Sequence, residues 1–191
     1  MRMTLMGYAA LAAAIWSPPV QAGAQSDARD RQSIEAVANL EAYAAYKMGH
    51  YADALARWEA LAAAGNTTAM INLANMYDQG QGVAADPAAA LGWTRMAAER
   101  GDPRAEYELA MFYERGVRLA RDPVAAEGWF RRAAGRDHLD SQFALAVMLI
   151  TARGAGMGNA SPAQAAEGRE WLVRAAVAGH AEARELLAGL P

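Results

Sequence analysis

The chain has no cysteine, three histidines and three phenylalanines, and its aromatic residues make up only 8% of 191. Without cysteine it has no disulfide framework, no thiolate metal site and no lipid-attachment residue behind a leader. The histidines, His50, His138 and His180, form no His-x-x-x-His pair and join no carboxylate–histidine cluster, so no metal centre is expected. No alternating run of β-branched residues marks a strand. No G-x-S-x-G elbow, phosphate-binding loop or dinucleotide fingerprint is present. The "GQGV" and "GAGMG" stretches follow no strand and read as helix-ending turns, so no cofactor is expected. Basic excess is also absent, with 18 Lys and Arg against 21 Asp and Glu, which excludes nucleic acid as the main partner.

Nor is there an apolar run long enough to span a bilayer, which takes about 18 residues. The longest, Met3 to Trp16, follows Arg2, ends at Pro18-Pro19 and precedes small residues at Val20-Gln21-Ala22 and Ala22-Gly23-Ala24. That layout predicts a secretory signal peptide over 1–24, cut after Ala22 or Ala24. The expected product, 25–191, is a soluble periplasmic or secreted chain without stable membrane insertion. It has 17 basic and 21 acidic residues, a formal charge of −4, because Arg2 is the one charge in the leader. Its length is enough for one domain with a substantial core.

What the sequence does contain is repetition. "LANMYDQGQGVAADPAAALGW" begins at Leu73, and 36 residues later "LAMFYERGVRLARDPVAAEGW" begins at Leu109. Leu145, the Ala69, Ala105, Ser141 series and the Gly65, Gly101, Asp137 series keep the same step. Trp93 and Trp129 are 36 apart, whereas Trp129 and Trp171 are 42 apart, so six residues enter the third unit within the glycine-rich stretch Thr151 to Pro162. Each unit reads as two helices, with Ala69, Leu73 and Tyr77 on one face of the first and the tryptophan followed by two alanines in the second. Asp86, Asp102, Asp122 and Ser161 each precede a proline, the pattern of an N-cap and first helical residue. One such pair cannot bury its apolar face alone, so the units must stack. The predicted fold is an all-α α-solenoid: a helix pair over about 34–64, repeats over 67–102, 103–138 and 139–180, and a capping helix over 181–189. Trp58, Trp93, Trp129 and Trp171 are assigned to its core, and the helix-B charges Arg95, Glu99, Arg100, Arg131 and Arg132 to a solvated convex face.

In their pattern the units resemble Sel-1-like repeats of the tetratricopeptide superfamily. The first unit carries the resemblance at Ala69, Leu73, Ala74, Tyr77, Gly80, Gly82, Val83, Asp86, Ala90, Trp93, Ala97, Ala98 and Gly101. The second keeps Ala105, Leu109, Ala110, Tyr113, Gly116, Asp122, Ala126, Trp129, Ala133 and Ala134, but loses the second loop glycine. In the third, Leu149 replaces the tyrosine and the loop is longer. Upstream, Gly49, Tyr51, Ala54 and Leu55 resemble a tetratricopeptide half. The resemblance implies an interaction scaffold rather than a catalyst. Some envelope members of that family modulate sensor kinases from the periplasm, and a subgroup is stapled by one disulfide per repeat, from which the missing cysteine separates this chain.

In such arrays the concave wall is built from helix-A positions that the repeat core leaves free. Counting −1, +2 and +6 from the repeat leucine gives Asn72, Asn75 and Gln79, then Glu108, Met111 and Arg115, then Ala144, Val147 and Thr151. The preceding helix adds Tyr43, Tyr46 and Lys47. Amides beside aromatic, Met and Arg side chains are suitable contact chemistry for a protein or peptide partner. The expected function is a non-catalytic envelope scaffold. The alternatives are an envelope enzyme or subunit acting on peptidoglycan or polysaccharide, using carboxylates such as Asp78, Glu108 and Glu114, and a periplasmic assembly chaperone. Partner identity and oligomeric state stay open.

Overall fold

Every helix start after the first two carries a cap that the sequence supplies. In a computed structural model that describes residues 19–152 and 160–189, Asn66, Asp102, His138 and His180 occupy one register. Each accepts a backbone N–H from the first turn of the next helix: Ala69, Ala105, Ser141 and Ala183 respectively. Asp86 and Asp122 cap the alternate helices with proline at the first position, and Ser161 forms a reciprocal capping box with Gln164.

The helices so delimited are α1 (Pro19–Lys47), α2 (Tyr51–Ala63), α3 (Thr67–Gln79), α4 (Pro87–Glu99), α5 (Pro103–Arg115), α6 (Pro123–Ala134), α7 (Leu139–Ile150), α8 (Pro162–Ala178) and α9 (Ala181–Gly189). No strand occurs among the described residues. Helix α1 starts ahead of the expected position near 34. The apolar run of the expected signal peptide, and residues 153–159 of the insertion, lie outside the described residues.

The chain divides into units 1–37 and 38–191. In the first, Arg31 and Ser33 bond back to the carbonyls of Asp27 and Arg29, four residues earlier on α1. In the second, from α2 onward each helix packs mainly on its chain neighbours, the contact pattern of a one-dimensional array. This is an all-α solenoid of stacked helix pairs.

The repeat tryptophans are placed differently from the sequence expectation. Trp93, Trp129 and Trp171 are only half-buried. Trp129 packs against both the first and second core clusters, and Trp171 against the second and third. These two bridge consecutive cores instead of filling one, and Trp93 packs against the first alone. Arg132 and Arg174, three residues further along their helices, lie over Trp129 and Trp171 at 4.3 and 4.6 Å. Trp58 is buried because it stands one residue out of their register, in line with Thr94, Phe130 and Leu172, all buried.

The helix-B arginines are also more than a solvated face. Glu106 is fully buried, and its Oε1 accepts from Arg132 Nε at 3.0 Å. Its Oε2 lies 3.4 Å from Arg136 Nε, an ion-pair distance without hydrogen-bond geometry. The same register holds Met70, Glu106, Gln142 and Arg184. Gln142 and Arg184 donate to the carbonyls of Ala134 and Ala176 at the ends of the preceding helices. At Glu106 the equivalent carbonyl, that of Ala98, accepts from Arg132 instead. Arg131 pairs with Glu127 and Glu167, tying α6 to α8.

Candidate partner-binding groove

At the N-terminal end of the predicted groove, Tyr46 is partly absorbed by the core. Its ring lies 5.7 Å from Trp58 and 5.4 Å from Tyr51, and its hydroxyl donates to Gln81 Oε1 at 2.6 Å. Tyr43, stacked on Tyr46 at 6.3 Å, stays exposed, with the Lys47 ammonium 5.6 Å from its ring. On α3, Asn72 is half-buried while Asn75 and Gln79 are exposed.

The second repeat joins this surface through an arginine in a glycine's place. Arg118 has φ 65° where Gly82 of the first repeat has φ 74°, a left-handed conformation that disfavours a side chain. Its guanidinium bonds to the Asp78 carboxylate of α3 and lies 5.0 Å over the Phe112 ring. Glu108 stands in the field of both charges. Burial raises its pKa, with Arg118 opposing and Asp78 adding to the shift. Met111 is half-buried and Arg115 exposed.

Met111 meets Ala144 and Val147 in the lining of a cavity of about 360 Å³. Thr151 is exposed and donates to the Val147 carbonyl at 2.6 Å, so its hydroxyl serves the end of α7. Sequence reasoning missed the aromatic wall of this cavity, Tyr107 and Phe143, which are two residues before the repeat leucines. The signal was available: they are 36 apart, like the leucines, and each ring pairs with the capping histidine two helices further on. Tyr107 lies 5.0 Å from His138 and Phe143 lies 4.5 Å from His180. Both histidines are therefore one repeated device, a cap and a ring contact together.

That device makes one cap acid-sensitive. Burial lowers the His138 pKa, and Arg104 reinforces the effect against Asp140 and Asp102. The unfolded chain thus takes up the proton more readily. The cap's contribution is complete above the unfolded value of 6.5 and is lost as pH falls below it toward the folded value. His138→Asn, which installs the cap of Asn66, is expected to flatten the decline in stability over that acid range in urea titrations. An unchanged slope would assign the titration to other groups.

The carboxylates of the enzyme reading are divided by these contacts. Asp78 is paired with Arg118, whereas Glu114 lines the cavity further along. Among the described residues no group of three or more His, Cys, Asp or Glu could hold a metal ion. Among the same residues no helix is long and apolar enough to cross a membrane.

Comparison with known proteins places this geometry in a family. The chain is similar to a Sel1 repeat protein from Oxalobacter formigenes, with 27% identity and TM-score 0.65 over 71% of this chain and 98% of that one. It is similar as well to c5321, a protective antigen of uropathogenic Escherichia coli strains displaying an SLR fold. There the identity is 26% and the TM-score 0.63, over 83% of this chain and 34% of that one. A search of curated proteins returns no match. Sel1 repeat proteins generally mediate protein–protein interactions, and the family is typically a non-catalytic scaffold. The Sel1 repeat profile matches residues 67–102, 103–138 and 139–180, and with more than half of its length so matched, the chain belongs to the Sel1 repeat family.

Proposed function

We propose that this protein is a non-catalytic scaffold that binds a partner protein through the helix-A side chains of successive repeats. The observation that carries the reading is a row of helix-A positions that the repeat core leaves wholly or partly exposed. Asn75, Gln79, Arg115 and Thr151 are exposed, and Asn72, Glu108, Met111 and Val147 are half-buried beside them. Amides, a methionine, an arginine and the exposed Tyr43 give an interface both polar contacts and apolar anchors. The secretory leader read over 1–24 supports action in the bacterial envelope or outside the cell, as a regulator of the protein it binds.

Arg115→Glu and Asn75→Lys are expected to lower recovery of that partner roughly tenfold, about 1.4 kcal/mol. Their melting temperature should match the parent's, because neither side chain makes a hydrogen bond or ion pair among the described residues. Undiminished recovery by both variants contradicts the proposal.

A further inference from the structure

The cavity enclosed by α5, α7 and α9 differs in character from the rest of the groove. Its wall is apolar, formed by Tyr107, Phe143, Met111, Val147 and Met148, while its charged lining residues are the carboxylates Glu114, Asp140 and Glu182, with His180 beside them. No lysine or arginine lines it.

Two of the acids have a local structural reason. Asp140 and Glu182 sit in the first turns of α7 and α9, where the helix dipole favours negative charge. They also flank His180, with Asp140 at 3.6 Å from Nε2 and Glu182 at 3.2 Å from Nδ1, contacts that are ion pairs only when the ring is protonated. Glu114 has no such reason. It lies in the last turn of α5, where the dipole opposes a carboxylate, and it makes no side-chain hydrogen bond or ion pair among the described residues. It is nevertheless half-buried. The Tyr107 phenol records the local field. Burial raises its pKa, Asp140 and Glu114 raise it further, and the exposed Arg115 opposes them.

We propose that this cavity is the specificity subsite of the groove and that its occupant is a basic partner segment, an aromatic or aliphatic anchor side chain flanked by lysine or arginine. The inference rests on the groove-binding reading above and adds the chemistry of the partner. A volume of about 360 Å³ is at the small end of ligand pockets, the size for a side-chain anchor rather than a docked helix. Met111 and Met148 let the wall adapt to the anchor's shape. The acids attract the flanking cations from solution and reject acidic segments, which makes recognition charge-selective and salt-sensitive.

Selection from a random decapeptide phage library, on the wild-type chain and on a Glu114→Gln/Asp140→Asn/Glu182→Gln variant, tests it. Wild type is expected to enrich peptides with lysine or arginine next to an aromatic or aliphatic residue. The best of them should bind the triple variant at least tenfold more weakly by fluorescence anisotropy, with unchanged circular dichroism. Glu114→Gln alone, which removes no bond among the described residues, should weaken it about threefold and guards against a fold defect in the triple variant. Enriched peptides without cations, or equal binding to wild type and both variants, overturn the subsite and leave the scaffold reading standing. If no peptide is enriched and Asn75→Lys and Arg115→Glu also leave partner recovery unchanged, both fall.

Discussion

Replacing Arg132 and Arg136 together by methionine is expected to lower the unfolding free energy by about 3–5 kcal/mol, the usual cost of stranding a buried charge. Glu106 is wholly buried, and these two half-exposed guanidinium groups are its cationic partners. Part of the loss comes from the Ala98 carbonyl, which Arg132 also serves, and from the Trp129 ring beneath its guanidinium. The converse change should be nearly neutral. Glu106→Met installs the residue that Met70 already presents at this position in the first repeat, and the released arginines return to water. Adding Glu106→Met to the double variant should therefore recover most of the loss, a coupling that a double-mutant cycle in urea measures directly. A loss below about 1 kcal/mol in the double variant, or no recovery in the triple, contradicts the assignment of Glu106 as an arginine-held charge.

Gly82→Ala and Gly92→Ala are expected to move stability in opposite directions although each adds one methyl group. Gly82 has φ 74°, and a Cβ there would lie 2.7 Å from Tyr51 Cβ and 2.9 Å from its carbonyl carbon. Left-handed strain of about 1–2 kcal/mol and overpacking of about 1–3 kcal/mol combine to a loss of roughly 2–5 kcal/mol. Gly92 lies inside α4 with open space around it, so alanine should stabilise by about 1 kcal/mol through helix propensity. The Gly82 change has a functional consequence too. Its neighbour Gln81 holds the Tyr46 hydroxyl, so displacing this loop should loosen the N-terminal end of the groove and weaken partner binding. Equal and small shifts for both variants would mean that the loop accommodates a side chain at Gly82.

The all-α repeat architecture was legible because the information is local and written three times. Leucine and alanine steps of 36 mark the buried faces, and Asp-Pro and Ser-Pro pairs mark helix starts. Three features escaped because they depend on how helices distant in sequence pack against one another. The tryptophan register reads as core from spacing, yet the stacking of one unit on the next leaves Trp129 and Trp171 bridging two cores. Arg132 looks like any exposed helix charge until α5 brings a carboxylate beneath it. His138 and His180 show only the lack of a metal pattern in the sequence, and their rings contact Tyr107 and Phe143 because the caps of α7 and α9 lie against α5 and α7, two helices earlier. Of the predicted contact positions, Met111, Ala144 and Val147 converge on one cavity, whereas Tyr46 and Thr151 also serve the fold.

In the proposed scaffold, helix-A side chains contact a partner protein while the helix-B surface does not. The most direct measurement is site-specific photo-crosslinking in the native organism, with the probe at Asn75, at Met111 and, as the opposite-layer control, at the exposed Arg95 of α4. One dominant crosslinked protein, identified by mass spectrometry, is expected with both the Asn75 and Met111 probes and absent with Arg95. The same products from all three positions, or none from either groove position, would contradict it.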